Sequence, residues 1–175
     1  MSRNILVING HPDPRPERFC AALCEAYSEG AQARGCATRR LDVGALKIPQ
    51  AANDDLHAWD GIEAAYRLVR AADEIAIVYP LWANAPPAAL KQLLDYVAKL
   101  RKHLDSTQTG DKAARLVVTT ELPAFLYRAN TDGEATALAG VDAKAQTFIG
   151  SVDTMTKDQR LKWLKEMRSF GAQAA

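Results

Sequence analysis

Large apolar residues in this chain gather into short runs separated by longer amphipathic stretches. Ile5-Leu6-Val7-Ile8 precedes Asn9-Gly10-His11-Pro12, and Ile75-Ala76-Ile77-Val78-Tyr79 precedes Pro80. Leu116-Val117-Val118-Thr119-Thr120 has the same character. Unbroken apolar runs of this length, closed by Gly or Pro, suit strands buried on both faces, where one-in-two alternation is not required. Thr38–Val43 and Ala145–Ile149 are two further strand candidates with weaker patterns. Between the runs, apolar positions step by three and four. This spacing predicts helices over 17–34 (Phe19, Leu23, Ala26, Tyr27, Ala31), 56–72 (Leu56, Trp59, Ile62, Ala65, Tyr66, Val69) and 87–104 (Leu90, Leu93, Leu94, Val97, Leu100). A fourth helix is expected from Thr156, through Leu161, Trp163, Leu164 and Met167, to Gly171.

Strands alternating with helices predict an α/β fold, a five-stranded parallel sheet with helices on both faces. With no linker and no internal repeat, residues 1–175 are read as a single domain. Order 2-1-3-4-5 is the expected strand order for five strands, and it puts ligands at the carboxyl ends of the strands where the order reverses. The loops after the first, third and fourth strands are therefore the places to look for chemistry.

Composition narrows the choices. Apolar residues make up 48% of the 175, but 32 residues are Ala, so the core must come mainly from the runs above. Lys and Arg total 22 against 21 for Asp and Glu, a net charge of +1, which argues against nucleic acid or a membrane surface as the partner. No apolar run is long enough to insert into a bilayer. The start, Met1-Ser2-Arg3-Asn4 before four apolar residues, is too short in hydrophobic length for a signal-peptide core. Cys20, Cys24 and Cys36 form an odd set without metal-type Cys/His spacing, so no metal site is expected, and a reduced, cytoplasmic setting is.

The first loop, His11-Pro12-Asp13-Pro14-Arg15-Pro16-Glu17-Arg18-Phe19, lies between a buried strand and a helix start. Free N–H groups and the helix dipole there favour an anion, and Arg15 and Arg18 add charge suited to a phosphate. It has no glycine after Gly10, so it is neither a Walker loop nor a dinucleotide fingerprint. The plainer alternative is a proline-rich helix start with a solvated Arg18. In the second loop, Tyr79 to Pro87, Trp82 either stacks on a planar ring or packs under the following helix. The third, Thr119 to Arg128, offers threonine hydroxyls and Tyr127, a proton donor or a half-buried structural tyrosine.

Taken together, Gly10-His11-Pro12, Arg40-Leu41-Asp42, and Tyr79-Pro80-Leu81-Trp82 followed by Pro87-Ala88-Ala89-Leu90-Lys91 resemble the flavodoxin-like NAD(P)H:quinone oxidoreductase family, including its bacterial NADPH-dependent members. The resemblance implies a flavodoxin-like three-layer sandwich, FMN or FAD as cofactor, and NAD(P)H as reductant. It also implies a quinone or similar small molecule as electron acceptor, and a homodimer. By position, His11, Arg18, Phe19 and Cys20 would meet the flavin phosphates. Pro80, Leu81, Trp82, Ala83 and Asn84 would frame the ring, Thr119, Thr120 and Glu121 would face it from the next strand, and Tyr127 would stand at the hydride-transfer site.

The chain departs from the family pattern at several of these places. Arg18-Phe19-Cys20 stands where Ser-Phe-Asn is usual, Pro86 lacks a donor N–H, and Glu121-Leu122 replaces two glycines. Thr131-Asp132-Gly133 occupies the place of a histidine, and the segment from Leu100 to Lys112 lacks an aromatic insertion. These departures carry a second expectation, a flavodoxin-like regulatory or binding subunit in which flavin binding is weak or lost.

Overall fold

The computed structural model describes residues 2–48, 60–104, 112–128, 138 and 140–174. Five strands are found, β1 (Asn4–Asn9), β2 (Ala37–Asp42), β3 (Glu74–Leu81), β4 (Lys112–Thr120) and β5 (Val141–Ile149). They form one parallel sheet in the order β2-β1-β3-β4-β5. The connections carry α1 (Phe19–Gln32), α2 (Asp60–Ala71), α3 (Ala88–Leu104), the short α4 (Ala124–Arg128) and α5 (Lys157–Gln173), with a 3-10 turn at Val43–Ala45. The predicted fold class and strand order are thus those observed. Leu56, His57 and Trp59, with which the second helix was expected to begin, and Thr131-Asp132-Gly133 lie outside the described residues.

The apolar runs work as two-faced strands. Ile5 and Val7 of β1, Ala76 and Val78 of β3, and Val117 of β4 pack with α1 and α5. Their alternates Leu6, Ile8, Ile75, Ile77, Tyr79, Leu116 and Val118 pack with α2 and α3 on the other face. Each large side chain so buried contributes roughly 1.5–3 kcal/mol relative to exposure, which offsets the entropy of ordering the strands.

β3 runs through Pro80 to Leu81, although a proline was expected to end it. The Val78 carbonyl accepts from Gly10 N–H (2.8 Å), so Val78 and, two residues on, Pro80 present their main-chain groups to the β1 side. β1 has ended by then, its last partner pair being Asn9 with Val78, so the missing N–H leaves no ladder bond unmade. On the other side Pro80 and Leu81 continue in register with Thr119 and Thr120. This extension brings the residue before Trp82 level with the threonines of β4.

Helices α1 and α5 cross in very close contact. A Cβ on Gly30 would lie 2.0 Å from the Arg168 carbonyl oxygen, and one on Gly171 would lie 2.0 Å from that of Tyr27. An ion pair between Arg168 Nε and Glu29 (2.6 Å) spans the same crossing. Since α1 and α5 begin beside the loops at the carboxyl ends of the strands, this crossing sets the relative position of two walls of the site.

Candidate functional site

The carboxyl ends of β1, β3 and β4 open into a cleft of about 350 Å³ lined by His11, Glu17, Arg18, Phe19, Cys20, Pro80, Leu81, Trp82, Thr119, Thr120, Glu121, Val152, Asp153 and Arg160. Three loops selected by strand order supply most of the wall. The loop between β5 and α5 supplies Val152 and Asp153, and α5 supplies Arg160.

The wall from α1 is polar because the helix begins without a cap. Arg18 occupies the N-cap position and makes no side-chain cap, and the first helical hydrogen bond is Ala22 N–H to the Arg18 carbonyl (3.2 Å). The N–H groups of Phe19, Cys20 and Ala21 precede that bond, so this end carries the open donors and positive dipole end that suit an anion. α5 is built differently, with a capping box in which Thr156 Oγ1 accepts from Gln159 N–H (3.3 Å) and Gln159 Oε1 accepts from Thr156 N–H (2.8 Å).

His11 forms the floor between β1 and the second loop. Its Nδ1 lies 2.9 Å from Asp13 N and 3.0 Å from the Asp13 carbonyl oxygen, accepting from the first or donating to the second according to the tautomer. Burial holds its pKa below the usual value, aided by the nearby Arg18 charge, against the Asp13 main-chain contact. The Trp82 ring meets it edge-on, 5.5 Å away at 81°. Buried Asn9 anchors the loop: its Oδ1 accepts from His11 N–H (3.2 Å) and its Nδ2 donates to Asp42 (2.8 Å), which Arg40 holds in turn (2.9 Å).

The β4 and β5 loops are joined by main chain. Val152 N–H donates to the Thr120 carbonyl (3.1 Å) and Ser151 N–H to that of Leu122 (3.2 Å). A Cβ on Gly150 would lie 2.2 Å from Ala124 N, so only glycine permits this approach. Arg160 then reaches back across the cleft, donating to the Val152 carbonyl (2.7 Å) with its guanidinium 4.8 Å from the Phe19 ring centre.

A model of the flavodoxin-like fold matches residues 3–153. The chain belongs to this flavodoxin-like family. Among solved structures, it is similar to an NAD(P)H:quinone oxidoreductase from Methanothermobacter marburgensis, with 15% identity, TM-score 0.75, and 99% of this chain and 96% of the other covered. It is also similar to an FMN-dependent NADH-azoreductase from Bacillus anthracis in complex with FMN, with 13% identity, TM-score 0.72 and both chains covered in full (100% and 100%). Comparison with curated proteins finds no match.

Of the site residues expected from sequence, this flavodoxin-like cleft brings together His11, Arg18, Phe19, Cys20, Pro80, Leu81, Trp82, Thr119, Thr120 and Glu121. It does not bring in Ala83, Asn84 or Tyr127. Ala83 (φ 46) and Asn84 (φ 64) form a two-residue turn between Trp82 and Ala85, whose main chains exchange hydrogen bonds of 3.1 and 2.9 Å. Positive φ at both central residues is the I′ hairpin class, which aims Trp82 and lifts the next two residues away from the lining. Tyr127 sits on α4, a helix absent from the sequence reading, and its ring is stacked on Phe148 (6.4 Å, 4°), against the core formed with α2 and α3. There it is half-buried and lies outside the lining of the cleft.

Three of the lining residues have side chains engaged within the protein. Thr119 Oγ1 is engaged with Cys20 Sγ (3.5 Å) and the Thr120 hydroxyl donates to the Leu122 carbonyl (2.7 Å), so both hydroxyls serve the fold. Burial pushes the Cys20 thiol up to about 11, the Thr119 contact opposing it, so at neutral pH it is a packed thiol and not a thiolate. Glu17, Val152, Asp153 and Arg160 were missed. Strand order pointed away from the β5 loop, yet Gly150-Ser151 directly after a strand, before the capping residue Thr156, was a usable sign of a tight turn over the sheet end.

Ala83 has no side-chain feature that offsets its left-handed backbone, which for an L-residue costs roughly 1–2 kcal/mol. Ala83→Gly is expected to stabilise the protein by up to about 1 kcal/mol after the added freedom of the unfolded chain is subtracted. Urea denaturation of the two proteins measures the difference, and a less stable A83G contradicts the strain.

Proposed function

We propose that this flavodoxin-like protein is a flavin-dependent NAD(P)H oxidoreductase that reduces a quinone or a similar small electrophile. The observation that carries the reading is a cleft at the carboxyl ends of β1, β3 and β4 that joins an uncapped helix start, for a phosphate, to a half-exposed Trp82, for a planar ring. Its volume of about 350 Å³ is at the lower end of small-ligand sites, which suits FMN better than FAD.

In this reading the α1 amides receive the phosphate, with Arg18 beside them, and Arg160 closes that end over Phe19. Pro80, Leu81 and Trp82 fix the ring plane, and the neutral His11 offers its Nε2 to a polar atom of the ligand, as donor or acceptor according to its tautomer. Glu121 places a carboxylate at the end of β4. A flavin held there would supply hydride acceptance from a reduced nicotinamide and electron transfer to the acceptor, while the protein supplies placement and polarity. The relatives named above as a quinone oxidoreductase and an azoreductase support this class of acceptor.

The reading includes a homodimer and a cytoplasmic setting. Leu122 and Phe125, 53% and 68% exposed beside the cleft, are apolar surface that a second copy would cover. Cys20, Cys24 and Cys36 are all free thiols. No helix among the described residues is long and apolar enough to cross a membrane.

The test is direct. Protein supplied with FMN or FAD and then desalted is expected to retain flavin absorbance, and to oxidise NADH or NADPH when a simple benzoquinone is added. Loss of all absorbance with either flavin would sink the reading and favour the binding-subunit alternative.

A further inference from the structure

The loop that should receive a phosphate already holds an anion. Asp13 accepts from Arg15 N–H (3.1 Å), from Arg15 Nε (3.0 Å to each oxygen) and from Arg15 Nη2 (2.7 Å). Its Oδ2 also accepts from both Nε and Nη2 of Arg18 at 2.6 Å. One carboxylate therefore engages both guanidiniums of the loop, in the paired geometry that arginine uses for phosphate. The first of these bonds is of another kind, an Asx turn that shapes the chain.

The surroundings do not restore positive charge. Glu17 follows in the same loop, and the remaining cleft wall sets Arg160 against Glu121 and Asp153. Arg15 and Arg18 are thus matched by Asp13 and Glu17 before any ligand arrives. What stays open for a phosphate is the set of α1 amides.

We propose that Asp13, beside the cleft, is the positioning residue that sets phosphate affinity there, an internal competitor that a phosphoryl group must displace from Arg18, the one of the two arginines that lines the cleft. The proposal rests on the flavin reading for its natural ligand, a flavin bearing a terminal phosphate. It makes the site selective in a definite sense. Affinity comes from the ring and from neutral amides, so the wild-type protein gains little from the phosphate charge and distinguishes FMN only weakly from riboflavin.

Asp13→Asn keeps an oxygen for the Arg15 N–H and removes the charge. Dissociation constants for FMN and riboflavin, measured by flavin fluorescence over a range of salt, give the result. Arg18 released towards a dianion, with one carboxylate charge removed from the solvated loop, is expected to tighten FMN binding about tenfold at low salt. The gain should fade as salt screens the loop, and riboflavin should be unchanged. Asp13→Ala, which also removes the turn acceptor, should gain less than Asp13→Asn. Weaker FMN binding by D13N, or an equal change for riboflavin, overturns the proposal, because a merely structural carboxylate would act in those ways. If no flavin binds, the flavin reading fails separately and inorganic phosphate becomes the probe. Greater thermal stabilisation of D13N than of wild type by phosphate then upholds the role of Asp13, and equal or smaller stabilisation overturns it.

Discussion

Gly30→Ala and Gly171→Ala each lower the stability of this protein by about 2–3 kcal/mol, in the upper part of the range for overpacked interiors. For a chain of this length that corresponds to roughly 5–10 °C in melting temperature. The sign is informative, because helix propensity alone predicts the opposite. Both glycines lie inside helices, α1 and α5, where alanine would favour the helix by about 1 kcal/mol. Tertiary contact reverses this: each added Cβ would meet a main-chain carbonyl oxygen at 2.0 Å, and main chain cannot rotate away as a flexible side chain can. The helices must separate, and with them the Arg18 and Arg160 walls of the cleft. Because one separation relieves both clashes, the double variant should lose less than the sum of the single losses. Thermal denaturation followed by circular dichroism measures all three, and a stabilised G30A would show the crossing to be wider than described.

Trp82→Ala weakens flavin binding by about tenfold while leaving stability nearly unchanged. The indole is 43% exposed, and its ring partner among the described residues is His11, so the folded protein depends little on it. A planar ligand in the cleft would lose a stacking surface, a loss of roughly 1–3 kcal/mol by analogy with aromatic platforms for bases. Phe in place of Trp82 should retain most of the affinity. The effect should be the same for FMN and riboflavin, in contrast to the phosphate-dependent effect of Asp13. Fluorescence titration decides it: unchanged affinity in W82A would place the ring elsewhere.

Much of this architecture was legible because buried parallel strands need no alternation. Ile5–Ile8, Ile75–Tyr79 and Leu116–Thr120 announce themselves as runs, and the helices between them show their apolar stripes. β4 and β5 proved longer than their apolar runs, since Lys112, Ala113 and Ala114 pair with Val141, Asp142 and Ala143, and Arg115 with Ala145 across a register shift at Ala114/Arg115. Pro80 was misleading because its significance depends on where β1 stops. Ten of the residues named from sequence share the cleft because loops at the carboxyl ends of adjacent strands are neighbours once the order is known.

The sequence by itself determined the α/β class, the strand order and the loops in which to search, all of which follow from periodicity and from the rules of parallel sheets. Only the tertiary structure decided which side chains in those loops are available. It engaged the hydroxyls of Thr119 and Thr120, stacked Tyr127 on Phe148, turned Ala83 and Asn84 into a hairpin, and brought in Arg160 from a helix far along the chain. It also placed Asp13 between two arginines that composition counts as free charge. Periodicity reports how a segment meets the core, whereas the state of a polar group depends on its nearest partners, and those partners are assembled only when distant segments fold together.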